Sequence, residues 1–243
     1  RAKELDFDYI ATGHYAIIEQ NQNGRWLLKK APASKDQSYV LYSFTQDALS
    51  RTLMPLGNYT KPQARKMAEE AGLPVAHKPD SQEICFVENN DYASFIENYT
   101  GKTSPAGNFI DKDGNILGRH LGITHYTIGQ RKGLGISFGK PMYVTKIDTV
   151  HNEITLGEEG SQYSNSLIAS DLNFIPFDTL DKEMQITAKV RYQSQPANAK
   201  LIPLGGDKVR VEFEQPQRAV TPGQAVVFYD GDIVVGGGTI QVE

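Results

Sequence analysis

Apolar and polar residues alternate at period two along two stretches of the C-terminal third. Met184, Ile186, Ala188 and Val190 are separated by Gln185, Thr187 and Lys189, and Val209, Val211 and Phe213 by Arg210 and Glu212. That period belongs to strands with one buried face. Gly205-Gly206, Pro222-Gly223 and Asp230-Gly231 punctuate the same region with turns, so from Ser166 onward the chain reads as a small barrel or sandwich. The first third has a different rhythm. Tyr9-Ile10-Ala11 reads as a buried strand and Trp26-Leu27-Leu28 as a second, short one. Ser34-Lys35-Asp36-Gln37 has capping-box spacing, with Val40, Leu41, Phe44 and Ala48 behind it at helical intervals. Thr60-Lys61-Pro62-Gln63 repeats the device ahead of Ala64, Met67, Ala68 and Ala71, and Gly72 stops it. In the middle, Tyr92, Phe95, Ile96 and Tyr99 predict one short helix. Asp113-Gly114 predicts a hairpin turn between 108–111 and 115–117, and Tyr143–Asp148 with Glu153–Leu156 a second strand pair.

These patterns divide the chain into an α/β part at 1–88, a β-rich part at 89–160 and a strand-only part at 161–243: a multidomain α/β plus β architecture. Hydrophobic residues at 39% and charged residues at 22% leave room for an ordinary buried core. The longest apolar runs are short pieces such as Ala225–Tyr229, far below the roughly 20 residues of a membrane-spanning helix. The single cysteine, Cys85, excludes an internal disulfide or a Cys-rich zinc site within these residues. His14, His77, His120, His125 and His151 lack metal-ligand spacing, so no metal site is expected. The net charge of -4 hides a basic segment. Lys112, Arg119, Arg131, Lys132, Lys140 and Lys146 face only Asp113 within it. Such a segment reads either as the seat of a localised anionic partner or as a solvated face.

Four places could carry chemistry. Cys85, between Ile84 and Phe86, reads as a small buried hydrophobe or as a nucleophile able to carry sulfur as a persulfide. Lys35-Asp36-Gln37 falls in the predicted first turn of a helix, where free backbone N–H groups and a lysine suit a phosphate, or where Asp36 simply complements the dipole. Tyr126 through Gly135 is glycine-rich and carries Arg131-Lys132. It is neither a Walker A loop nor a dinucleotide fingerprint, since Pro141 follows Gly139-Lys140 and Phe138 replaces the third glycine. It remains open between a basic loop for a polynucleotide backbone and a tight turn with surface charge. Arg191-Tyr192 ends an alternating strand beside Lys189. An arginine and an aromatic serve phosphate contact and base stacking in RNA-binding surfaces, and also occur on ordinary barrel surfaces.

Taken together and in order, these segments resemble a known family. Ala11-Thr12-Gly13-His14-Tyr15-Ala16, Lys35-Asp36-Gln37-Ser38-Tyr39, Leu53-Met54-Pro55-Leu56-Gly57, Asp80 through Phe86, Tyr126 through Gly135, Arg191-Tyr192 and Thr221-Pro222-Gly223-Gln224 look like the tRNA-specific 2-thiouridylase (MnmA/TrmU) family over essentially the whole chain. The resemblance implies three parts. They are the remainder of an adenine-nucleotide α-hydrolase-like (PP-loop) domain, a small β-rich central domain that contacts tRNA, and a C-terminal β-barrel like those of translation factors. The family's Ser-Gly-Gly-x-Asp-Ser phosphate loop and first catalytic cysteine are not among these residues. The chain is therefore expected to be the C-terminal portion of such an enzyme, inactive alone.

The implied reaction is ATP-dependent 2-thiolation of the wobble uridine in glutamate, glutamine and lysine tRNAs, through base adenylation and transfer of sulfur from a cysteine persulfide. By the same resemblance Cys85 bears the persulfide and Gly13 contacts the nucleotide. His14, Lys35, Asp36, Gln37, Arg191, Tyr192 and Gln224 contact tRNA. ATP, with magnesium, would be held mainly by the part of the nucleotide domain not included here. The implied partners are tRNA and a persulfide donor, either a cysteine desulfurase or a relay protein, in the cytoplasm and without DNA or a membrane. Ser81-Gln82-Glu83 departs from the Ser-Thr-Gly of other members. The competing readings are a tRNA-binding module without turnover, a cysteine hydrolase, and a sulfur-relay protein that does not bind RNA.

Overall fold

A computed structural model describes residues 2–32, 35–74, 76–77, 87 and 91–241. In chain order the strands begin with β1 (Ile10–Ala11), β2 (Ala16–Gln20), β3 (Trp26–Lys30), β4 (Thr52–Leu53), β5 (Gly107–Ile110), β6 (Ile116–His120), β7 (Tyr143–Asp148) and β8 (Glu153–Gly157). They continue with β9 (Tyr163–Phe174), β10 (Met184–Lys189), β11 (Ala197–Pro203), β12 (Lys208–Arg218), β13 (Ala225–Asp230) and β14 (Ile233–Ile240). The helices are α1 (Gln46–Ser50), α2 (Lys61–Glu70) and α3 (Tyr92–Thr100). Contacts group the chain into one compact unit of 1–78, 165–216 and 221–243 and another of 79–164 and 217–220.

In the first unit, β10, β11, β12, β9 and β14 pair in sequence from β13, and β13 pairs back onto β14 to close the ring. The expected barrel is thus present. Alternation places Ile186, Ala188, Leu201, Val209 and Val211 in the buried set while their neighbours meet solvent. β13 breaks that rule, because Val226, Val227, Phe228 and Tyr229 are all fully buried. Its outer face is covered too: Val227, Tyr229 and Val234 pack with Ala16, Leu28, Tyr39, Leu41 and Leu49. A strand buried on both faces reads as a continuous apolar run, which is why Ala225–Tyr229 is among the longest in the chain.

The β2–β3 hairpin supplies that cover. β3 adds to the barrel sheet through Ile233↔Lys29, and β2 follows at the outside. Trp26–Leu28, which in sequence sits with the α/β part, therefore extends the C-terminal sheet. The strand expected at Tyr9–Ala11 is short and exposed rather than buried. Only Ile10↔Thr52 and Ala11↔Leu53 pair, in parallel, and Tyr9 and Ile10 are 59% and 50% exposed. An apolar run becomes a buried strand only when both faces are covered, and the described residues supply one neighbour.

Three glycines in β14 let its neighbours come close. Gly236 has φ +151°, and a Cβ there would collide with the backbone carbonyl of Asn173 on β9. At Gly237 and Gly238 a Cβ would strike Val226 O and Ser170 O on the flanking strands. Gly236→Ala is expected to destabilise this unit by about 1–3 kcal/mol, the usual cost of overpacking. Urea unfolding of both chains checks this, and an unchanged midpoint would show that β9 and β14 can part there.

The helices test the capping signals directly. α2 starts at the expected place, with Thr60 and Gln63 exchanging both capping-box hydrogen bonds and Pro62 in the first turn. The same spacing at Ser34–Gln37 does not begin an α-helix. Ser34 lies outside the described residues, a 3₁₀ turn occupies Ser38–Leu41, and α1 starts later behind Thr45, whose hydroxyl accepts from Ala48 N. Asp36 is the organiser here: its carboxylate accepts from Ala31 N, Ser38 N and Ser38 Oγ at 3.1, 3.1 and 2.8 Å. Lys35-Asp36-Gln37 is thus not the first turn of an α-helix, and both readings that placed it there, a phosphate site and a simple dipole complement, lose that basis.

The second unit is a sheet in the order β6-β5-β8-β7, with β5 and β8 parallel and the other pairs antiparallel. The hairpin turn is at the predicted Asp113-Gly114, with Asp111 Oδ1 accepting from the amides of Asp113 and Asn115. Phe109, Val144, Ile154 and Leu156 form the core with Tyr126 and Leu134 from the glycine-rich segment and with Met142 just before β7. His120 is buried in the same unit. Its Nδ1 accepts from Gly122 N and its Nε2 faces Asn152 O, a pairing only the neutral ring satisfies. Burial holds this imidazole below its ordinary value. An unfolded histidine takes up its proton near pH 6.5, so the unfolded state binds more protons there and stability falls as the pH drops below that value. The thermal midpoint is expected to fall from pH 7 to pH 5, and His120→Gln to lose that part of the dependence.

Candidate functional site

The surface assembled from the sequence-predicted residues lies in the first unit. It starts just past the carboxyl end of β1, where open parallel sheets place nucleotides. Gly13 is exposed there, and a Cβ on it would make only an ordinary contact with Leu56 Cδ1, 3.8 Å away. Nothing in the described packing demands a glycine at this position. His14 is half-buried and tied to its own turn, with its amide donating to Thr12 Oγ1.

Gln37 joins this turn to the next segment. Its amide donates to Tyr15 O at 2.8 Å, and its side-chain oxygen accepts from Tyr15 N at 3.0 Å. Asp36 continues the connection. Its carboxylate is committed to the turn, while its carbonyl faces the hydroxyl of Tyr192 at 3.4 Å. Lys35, next to it, is exposed.

Tyr192 and Arg191 sit in the turn after β10. Ser194 holds that turn, with Arg191 N donating to its hydroxyl and Ser194 N and Oγ donating to Arg191 O. Tyr39 comes up from the 3₁₀ turn, meeting the ring of Tyr192 edge to face at 6.0 Å and donating to Ala225 O at 2.7 Å. Burial, with Tyr42 nearby, pushes the Tyr39 phenol up to about 12 against the pull of Arg191, so it serves as a neutral donor. Gln224 closes the outline. Thr221-Pro222-Gly223-Gln224 is a tight turn with Gln224 N donating to Thr221 O and Gly223 at φ +83°, the conformation glycine supplies at least cost. Arg191, Tyr192, Ser194, Gln224 and Tyr39 together line a cavity of about 680 Å³.

Segments at 12–15, 35–39, 191–194 and 224, far apart in sequence, therefore form one surface. Two participants were not singled out by sequence. Tyr39 was visible only as part of a motif, and Lys189 only as a neighbour of Arg191. Cys85 and the Asp80–Phe86 motif lie outside the described residues.

The basic segment is less open than its charge suggested. Lys140 pairs with Glu158 at 2.6 Å and Lys112 with Asp113 at 3.2 Å. Glu159, which accepts from the Tyr143 hydroxyl and from Gln162, is drawn down partly by Arg131. The glycine-rich loop is tied down as well: Gly129 N donates to Val144 O, Arg218 donates to Gly129 O, and Tyr126 and Leu134 are buried. Tyr126, Gly129 and Leu134 pack inward, while Arg131, Lys132, Gly133 and Gly135 are exposed. Among the described residues no three His, Cys, Asp or Glu side chains converge as a metal site would. No helix among them is long and apolar enough to cross a membrane.

Comparison with known proteins matches three successive segments of the chain. Residues 1–89 match the family described as the tRNA methyl transferase HUP domain, residues 93–158 its PRC-barrel domain, and residues 164–240 the aminomethyltransferase beta-barrel domain. The tRNA-specific 2-thiouridylase MnmA of Acetivibrio thermocellus is 59% identical over 243 residues, covering 99% of this chain and 68% of the relative. The proteins of the same name from Halothermothrix orenii and Caldicellulosiruptor saccharolyticus are each 56% identical, over 68% and 67% of their lengths. The chain belongs to the tRNA-specific 2-thiouridylase (MnmA) family.

Proposed function

We propose that this protein is a tRNA-uridine 2-sulfurtransferase that uses ATP to thiolate the wobble uridine of glutamate, glutamine and lysine tRNAs in the cytoplasm. The observation that carries the reading is the joining of the 12–15, 35–39, 191–194 and 224 segments into one surface of cationic, amide and aromatic side chains in a member of this family. Arg191 and Lys35 supply charge for phosphates, Tyr192 a ring for stacking, and Gln224, Gln37 and His14 hydrogen-bonding groups. Asp36 acts through position, since its carboxylate is used internally. The reading divides the chain into domains at 1–88, 89–160 and 161–243 and draws the named tRNA-contacting residues from the first and the last.

ATP enters as a substrate, approached by Gly13. The uracil C2 oxygen attacks its α-phosphorus and releases pyrophosphate, leaving C2 bonded to AMP, a good leaving group. The terminal sulfur of a persulfide on Cys85, loaded by a persulfide donor protein, then attacks C2 and AMP departs. A second cysteine thiolate takes Cys85 into a disulfide, and the transferred sulfur stays on C2. A thiolate suits the carrier role because it is a soft nucleophile and a ready leaving group. A tRNA-binding module without turnover would need the same surface but not Cys85, and family membership favours the enzyme.

Removing the gene is expected to eliminate 2-thiouridine from these tRNAs, measured by mass spectrometry of digested tRNA. An unchanged 2-thiouridine content would overturn the reading.

A further inference from the structure

Lys189, the last residue of β10, points its ammonium at both rings that border the cavity. Nζ lies 5.6 Å from the centroid of Tyr39 and 5.6 Å from that of Tyr192. The two rings meet each other edge to face at 6.0 Å, and the Tyr192 hydroxyl reaches Asp36 O. Burial lowers the ammonium's proton affinity, Lys30 lowers it further, and Asp36 acts the other way. Desolvation strengthens attraction between a cation and a ring face. Tyr192 itself is 41% exposed and forms part of the cavity wall. Its ring is thus fixed by a cation, by a neighbouring ring and through its hydroxyl, although it sits in a surface turn. At about 680 Å³ the cavity is large enough for a nucleotide.

We propose that this cavity receives one unstacked base of the RNA against Tyr192, and that Lys189 is a positioning residue that holds the ring for it. The proposal rests on the reading of this surface as a tRNA contact. It assigns Lys189 no phosphate of its own: the ammonium is directed at the rings, and a cation on the ring strengthens its stacking with a base. Two segments that sequence could only name separately, 35–39 and 189–194, become one element through this residue.

The test is equilibrium binding of unmodified tRNA to the chain at several salt concentrations. Tyr192→Ala is expected to weaken binding about tenfold, within the range of losing one base–aromatic stack. Lys189→Met is expected to weaken it about threefold to tenfold, as a partly desolvated cation–ring contact would, with the slope of log K against log salt unchanged. Lys189→Met combined with Tyr192→Ala should bind no more weakly than Tyr192→Ala alone. Lys189→Arg, which also sits on ring faces, should restore most of the affinity, and Lys189→Gln guards against a folding defect in the methionine variant. A slope reduced by about 0.7–0.9 in Lys189→Met would make it a phosphate contact, and additive losses would separate it from Tyr192. Either result overturns the proposal. If Tyr192→Ala weakens binding and Lys189→Met and Lys189→Gln do not, only this inference fails. If Tyr192→Ala binds like wild type, the tRNA reading of the surface fails with it.

Discussion

Cys85→Ser in the intact protein is expected to abolish 2-thiouridine formation while leaving tRNA affinity within about tenfold, or about 1.4 kcal/mol. A serine hydroxyl cannot accept a sulfane sulfur and pass it on, because that needs a soft thiolate and an S–S bond that breaks readily. The variant differs by one atom, so binding should survive where chemistry does not. Cys85 is the only thiol in the 243 residues, which leaves no substitute carrier within them. Nucleoside mass spectrometry reads the first outcome and filter binding the second. Substantial thiolation by the serine protein would end the persulfide role.

Charge reversal gives the second large effect. Arg191→Glu is expected to lower tRNA affinity about tenfold or more, roughly 1.4 kcal/mol, and to flatten the salt dependence by about 0.7–0.9 per lost phosphate contact. Lys35→Glu should act in the same direction. Arg131→Glu should do less to the slope, because Glu159 already faces that cation. The contrast separates the assembled surface from the basic segment that dominates the charge pattern. Equal losses at Arg131 and Arg191 would move the main RNA contact to the second unit, and an affinity indifferent to salt in every variant would remove the electrostatic account.

Local signals were readable where local interactions decide the outcome. Thr60 and Gln63 satisfy each other across one turn, and α2 begins there. The period-two alternation in Met184–Val190 survives because each side of the strand meets a different medium. Ser34–Gln37 has the same spacing as Thr60–Gln63 and a different result. Gln37 is drawn to Tyr15, and Asp36 to Ala31 and Ser38, and no capping rule contains those partners. Tyr9–Ala11 was apolar enough to be buried but has a single described neighbour strand. Charge misled in a similar way. Lys140 looks unopposed along the basic segment, and the fold brings Glu158 to it.

The site was legible as a set of motifs in register and not as a geometry. Lys35–Gln37, Arg191-Tyr192 and Gln224 are separated by up to 189 positions, and only the closing of β13 onto β14 with the added β2–β3 hairpin puts them together. Lys189 shows the limit most plainly. In sequence it is the polar residue of an alternating strand. In the fold it lies 5.6 Å from two rings contributed by different segments.

The most direct test of the enzymatic reading is reconstitution. Purified intact protein, ATP, a persulfide donor and unmodified tRNA are incubated, and 2-thiouridine and AMP are quantified together. The account predicts that both accumulate, with one AMP released for each 2-thiouridine formed, as adenylation of the replaced oxygen requires. Uridine that remains unmodified, or 2-thiouridine formed without AMP, would contradict it.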